Sequence, residues 1–316
     1  MLIHSARNTE FFFHEGRSDY LLVTFNEIAL LADGKSYWGK PMIERENITA
    51  IGVVSRKPDW FMPGDDIREF LTRHGDILRG FKGDIVLVGH SMGAFGAIKF
   101  SKAFGATTVI ASCPIYSLNP AMRGRTDRPD PPFYVEALHK DMHPRREELG
   151  GRIYILRDPW HNWRRSFEKY RDIGYDGLSF VDLPFTDHET IKIFARDERF
   201  PRLIALARSG DEAPLKAFVR QCRYASSLRL QIVAAHRAIR HPASAYRIWT
   251  GNRERFSAPY MLLLSRALAA TMPGEAQEIA RRMVEVAPGF APGQKQLAAL
   301  MGQERQIVDA RSPRVT

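Results

Sequence analysis

The residues with the clearest chemical capacity are Gly89-His90-Ser91-Met92-Gly93-Ala94, a G-x-S-x-G run. It closes an apolar stretch over 84–88 and opens an Ala- and Gly-rich one over 94–104. A serine at a sharp strand-to-helix turn presents its hydroxyl beside the unpaired N–H groups of a helix start, the arrangement of a nucleophile elbow. That turn holds the serine at strained backbone angles, and the flanking glycines remove side chains that would collide where strand passes to helix. The chemistry such a serine can do is attack on an acyl carbon, which needs no cofactor. The sequence has no H-E-x-x-H, no C-x-x-C and no His/Asp cluster at ligand spacing, so no metal is expected. It has neither a G-x-G-x-x-G turn after the first strand nor a G-x-x-x-x-G-K-[ST] loop, so no nucleotide cofactor is expected either.

The elements that must hold this serine alternate through the first 200 residues. Short β-rich runs at 11–14, 20–25, 48–55, 84–89, 107–112, 152–157 and 177–183 predict strands. Several, such as Ile85-Val86-Leu87-Val88, are apolar on both faces, as strands of a parallel sheet covered by helices on each side must be. Helices are expected over 65–81, where Ile67, Phe70, Leu71, Ile77 and Leu78 recur near a 3.6-residue period, and over 94–104 and 163–170. The fold class is therefore α/β. Residues 119–151 break the rhythm with five prolines and five arginines, and read either as a solvated loop or as a small cap over a pocket. After residue 200 the strand signal ends, and 203–208, 213–223, 228–240, 258–270, 276–286 and 294–301 read as short amphipathic helices between Gly and Pro signals.

With this context in place, residues 1–200 resemble the α/β-hydrolase superfamily, many of whose esterases and lipases carry Gly-His-Ser-Met-Gly followed by a small residue. The run Gly93-Ala94-Phe95-Gly96-Ala97 with Ser112-Cys113-Pro114 is similar to a little-characterised bacterial branch. The resemblance implies a mostly parallel sheet and a triad in the order Ser, acid, His. The acid is then expected after the strand that follows the excursion, at Asp158, whose alternative role is a helix N-cap; Asp187 is its competitor. The base is expected after the last strand, at His188, with His161 as the rival only three residues beyond Asp158. Two oxyanion donors are needed: the N–H of Met92 and one from the loop after an early strand, where Asn26 is either that donor or a turn residue. Phe25 and Trp60 are candidate pocket residues.

The formal charge of +10 lies wholly in the last third: after residue 200 there are eighteen Lys and Arg against eight Asp and Glu, and residues 1–200 are neutral. A neutral catalytic domain, 1–200, followed by a basic helical region, 201–316, is the expected organisation. Tyr260, Leu263, Ala276 and Pro288 fall at the spacing of a tetratricopeptide repeat, which a generic helical hairpin matches as well. This region suits a protein partner; nucleic acid is not expected, since its basic residues are spread over many helices without a binding motif. Two cysteines, Cys113 and Cys222, are too few for a disulfide framework, and with no signal-peptide pattern or apolar span the chain is expected to be cytoplasmic. The expected function is hydrolysis of a small carboxylic ester or thioester. The alternatives are transfer of the acyl group to an alcohol or sugar, and an interaction protein built on a degenerate hydrolase scaffold.

Overall fold

Eight stretches whose residues suit a pleated, covered surface form one sheet in the computed structural model, which describes residues 1–122, 133–195 and 198–311. The strands are β1 (Leu2–Ser5), β2 (Thr9–His14), β3 (Tyr20–Phe25), β4 (Ala50–Ser55), β5 (Asp84–His90), β6 (Thr108–Ser112), β7 (Arg152–Arg157) and β8 (Leu178–Asp182). Their order is β1-β2-β4-β3-β5-β6-β7-β8. β1 and β4 both pair with β2 antiparallel, and every pair from β4 to β8 is parallel. This is the α/β-hydrolase arrangement. β4 is buried along its whole length, and β3 and β5 at all but their first residue, as parallel strands sandwiched between helices must be.

Helices α1 (Lys40–Arg45), α2 (Asp65–Gly80), α3 (Met92–Lys99), α4 (Glu136–His139), α5 (Arg164–Asp172), α6 (Arg199–Ser209) and α7 (Glu212–Ala225) connect or follow the strands. α3 and α6 both pack on β5 and β6. The chain leaves β3, pairs β4 on one side of it, then crosses back to place β5 on the other. The crevice above β3 and β5 is thus a topological switch point, where open α/β sheets bind ligands. Of the excursion 119–151, a 3-10 turn (Pro120–Met122), α4 and a second 3-10 turn (Arg146–Glu148) are seen. Its Arg- and Pro-rich centre, 123–132, lies outside the described residues.

The chain divides into compact units Met1–Arg223 and Tyr224–Thr316, not at residue 200. The reason is visible in α6: Arg208 donates to Asp84 at 2.9 Å and to Asp19 at 3.0 and 2.9 Å, and its carbonyl accepts from Arg152, which ties the helix to the N-terminal ends of β3, β5 and β7. The second unit is all helical: α8 (Ser227–Arg240), α9 (Pro242–Thr250), α10 (Ala258–Leu268), α11 (Pro273–Val286) and α12 (Ala291–Arg311). α8 packs on α9 and α10, and α10 packs on α11 and α12. Trp249, Leu264, Ile279 and Met283 fill its core. Among the described residues no helix is long and apolar enough to cross a membrane.

Candidate active site

Ser91 follows β5 with φ 55° and ψ −116°, a conformation that costs a non-glycine residue on the order of 1–3 kcal/mol and persists only where surrounding structure enforces it. The enforcement is local. The Ser91 N–H donates to Ser112 O on β6 at 2.9 Å. A Cβ at Gly89 would lie 2.2 Å from the Gly93 carbonyl, and one at Gly93 would lie 2.3 Å from the Phe25 oxygen, so both glycines are sterically required. The start of α3 is thereby pressed onto the end of β3. Further non-glycine residues hold positive φ in the segments that follow parallel strands: Trp60 (54°) and Phe61 (59°) after β4, Cys113 (53°) after β6, and Phe185 (64°) and Asp187 (52°) after β8. Cys113 is fully buried, its thiol pushed well above the ordinary value by burial, and its Sγ lies 4.0 Å from Asp187 O.

Asp158, one residue past β7, is buried, and both of its oxygens are engaged. Oδ1 accepts from the Trp160 N–H at 2.9 Å; Oδ2 accepts from the N–H groups of Thr186 and Asp187 at 2.9 and 2.8 Å. The first contact is a local turn. The other two span 28 and 29 residues and pin the segment that carries His188. Burial still raises the Asp158 pKa, and the three backbone donors oppose that rise. His188 sits at the start of a 3-10 helix, Asp187–Phe194, with its ring 4.6 Å from Trp163, 4.8 Å from His90 and 5.7 Å from His161. Burial lowers its pKa, and Glu189 and Asp187 act against that. Its Nδ1 is buried without a partner, and among the described residues no hydrogen bond joins His188 to Ser91 or Asp158. The rival pair is closer: His161 Nε2 is 3.2 Å from Asp187 Oδ1. The structure therefore gathers both candidate acids and both candidate bases at one end of the sheet.

Asn26 takes the turn role. Its backbone N–H donates to Val53 O at 3.2 Å, its amide donates to the carbonyls of Glu27 and Leu30, and its Oδ1 accepts from Ser55 N–H at 2.8 Å. Nothing of it is left for an oxyanion. The next amide, Glu27, and that of Met92, first residue of α3, have no acceptor among the described residues. Phe25 and Trp60 are core residues, not pocket walls. Phe25 packs edge-on against Phe61 and Phe104, and Trp60 lies under Phe133 and His139 of the excursion. What the sequence pattern misses is a buried polar chain behind the elbow. His90 Nε2 is 3.7 Å from Glu27 Oε2, its Nδ1 is 3.3 Å from Ser112 Oγ, and Ser112 Oγ bonds Thr190 Oγ1 on the His188-bearing helix. Burial drives the His90 pKa down to about 3, so it is neutral. Among the described residues no cluster of three ligating side chains forms a metal centre.

No protein-family model matches the sequence, and no curated protein does. Solved structures similar to the chain include the Glycosylation Associate Protein (Gap123) complex from Streptococcus agalactiae, at 13% identity and a TM-score of 0.43 over 64% of this chain. This chain spans 43% of that one. A capsule O-acetyltransferase of Neisseria meningitidis serogroup A is 14% identical with a TM-score of 0.42, over 64% of this chain and 92% of the other. The Pyrococcus furiosus esterase Pf2001 is 13% identical with a TM-score of 0.39, over 61% and 83%. The hydrolase arrangement itself is read from strand order and direction.

Proposed function

We propose that the unit Met1–Arg223 is a serine hydrolase that cleaves a carboxylic ester or thioester through Ser91, His188 and Asp158. The observation that carries this reading is Ser91 held in a strained turn between β5 and α3, while Asp158, from the end of β7, ties down the segment bearing His188. In this mechanism neutral His188 takes the Ser91 proton as Oγ attacks the acyl carbon, and Asp158 stabilises the resulting imidazolium. The oxyanion is received by the N–H groups of Met92 and Glu27. His188 then protonates the leaving group, and water, activated by the same imidazole, releases the acid from the acyl-enzyme. An alcohol in place of that water would make the reaction an acyl transfer, which rates measured with added acceptor alcohols distinguish. The basic helical unit has no step in this chemistry; we assign it to a protein partner.

One contact favours a second choice of base: the His161–Asp187 pair is formed while His188 Nδ1 is unpartnered. Hydrolysis of p-nitrophenyl acetate by the full chain separates the two. With His188 as base, Ser91→Ala and His188→Ala each lower kcat/KM by about 10³-fold or more, and His161→Ala lowers it by less than about tenfold. The reverse order of the histidine variants assigns the base to His161. Full activity in Ser91→Ala removes the hydrolase reading altogether.

A further inference from the structure

A cleft of about 400 Å³ lies behind the elbow, within the range of small-molecule sites. Its walls come from the β3–β4 connection and from the segment after His188, and include Trp38, Met42, Ile191 and Phe200. Glu27 and His90 complete the lining, and both His90 and Glu189 adjoin proposed catalytic residues in the chain, Ser91 and His188. The two cations at the rim are already matched: Lys192 Nζ is 2.7 Å from Glu189, and Arg45 Nε is 2.8 Å from Glu46. Glu27 has no Lys or Arg within ion-pair distance among the described residues; burial and Glu189 raise its pKa, Lys192 acts against that, and its neighbour His90 is kept neutral by burial. The cleft thus combines apolar walls with one half-buried carboxylate that no Lys or Arg pairs directly among the described residues, the combination that favours a ligand with an apolar body and a positive end.

We propose that this cleft binds an apolar group bearing a single ammonium, with the ammonium at Glu27 and the hydrocarbon along Trp38, Met42 and Phe200. Resting on the hydrolase reading, it makes the substrate an ester that carries a hydrophobic amine. A carboxylate of the same length is disfavoured by Glu27.

The test is calorimetric titration of the full-length protein with n-hexylammonium, 1-hexanol and hexanoate. Hexylammonium is expected to bind about tenfold or more tightly than the other two, Glu27→Gln to reduce that preference to within about threefold, and Met42→Trp, which fills the cleft, to abolish binding of all three. Equal affinity for hexylammonium and hexanol in the unmodified chain overturns the proposal, whether or not either variant folds. Survival of the preference in Glu27→Gln, with its thermal melt intact, overturns it as well. Binding is read without turnover: a preference present in a protein that hydrolyses no ester keeps the ligand site and removes the hydrolase reading, whereas an active esterase without the preference does the opposite.

Discussion

Gly93→Ala probes the contact on which the whole elbow depends. The added methyl would sit 2.3 Å from the Phe25 oxygen and 2.8 Å from the Asn26 oxygen. Both are backbone atoms, so neither can rotate away, and a separation of 3.0 Å requires β3 and the start of α3 to move apart by about 0.7 Å. These two segments carry the proposed oxyanion donors, Glu27 and Met92. Catalytic constellations tolerate about 0.5 Å, and a displacement near 1 Å costs about 10²-fold. The substitution is therefore expected to lower kcat/KM toward p-nitrophenyl acetate by about 10²-fold, mostly through kcat, and to lower stability in a urea melt by about 1–3 kcal/mol. Gly75→Ala is the control. Its methyl would meet the end of the Arg79 side chain at 2.8 Å, which can swing into solvent, and alanine in the middle of α2 gains about 0.5–1 kcal/mol over glycine. Wild-type activity and stability in Gly93→Ala would refute the steric account of the elbow.

Ser91→Gly should melt at higher urea than Ser91→Ala, by about 1–3 kcal/mol, because glycine accepts φ 55° and ψ −116° without strain; equal midpoints would mean the turn stores no strain. Burial lowers the His188 pKa, so the acid limb of kcat/KM should have its midpoint below 6.5, and a midpoint above 6.5 contradicts the assignment. The same depression, with that of His90 to about 3, makes stability fall as the pH drops below 6.5, where the unfolded imidazoles take up protons that the folded ones refuse; thermal melts between pH 7 and 4 measure this. Asn26→Ala should cost about 1–3 kcal/mol, since it strands the buried Ser55 N–H, and a cost below 0.5 kcal/mol would remove the brace.

The centre of the fold is legible because one physical requirement writes it. Strands covered on both faces must be apolar throughout, which marks β3, β5 and β6, and a strand entering a helix through a tight turn must carry glycines at 89 and 93. Where the constraint is weaker the sequence is silent. β1 is four residues at the sheet edge with no buried side chain, and α1 buries only Ile43. His241-Pro242 reads as a break, yet proline suits the first turn of a helix, and α9 begins there. Leu263, part of the repeat-like spacing, is 51% exposed, and its neighbour Leu264 occupies the core instead. At the site, the proposed Ser91, Asp158 and His188 are expected from order along the chain. The buried polar chain behind them is not: His90 meets Ser112 across 22 residues, and Ser112 meets Thr190 across 78, so no local pattern announces it. Asn26 shows the same limit, because an asparagine after a strand suits a donor and a brace equally until its hydrogen bonds are seen.

The most direct test of the central claim is labelling of the full-length protein by a fluorophosphonate, with the modified residue located by peptide mass spectrometry. The account predicts one phosphonylated residue, Ser91, and loss of labelling in both Ser91→Ala and His188→Ala. An unlabelled wild type, or a label that persists in Ser91→Ala, would contradict it.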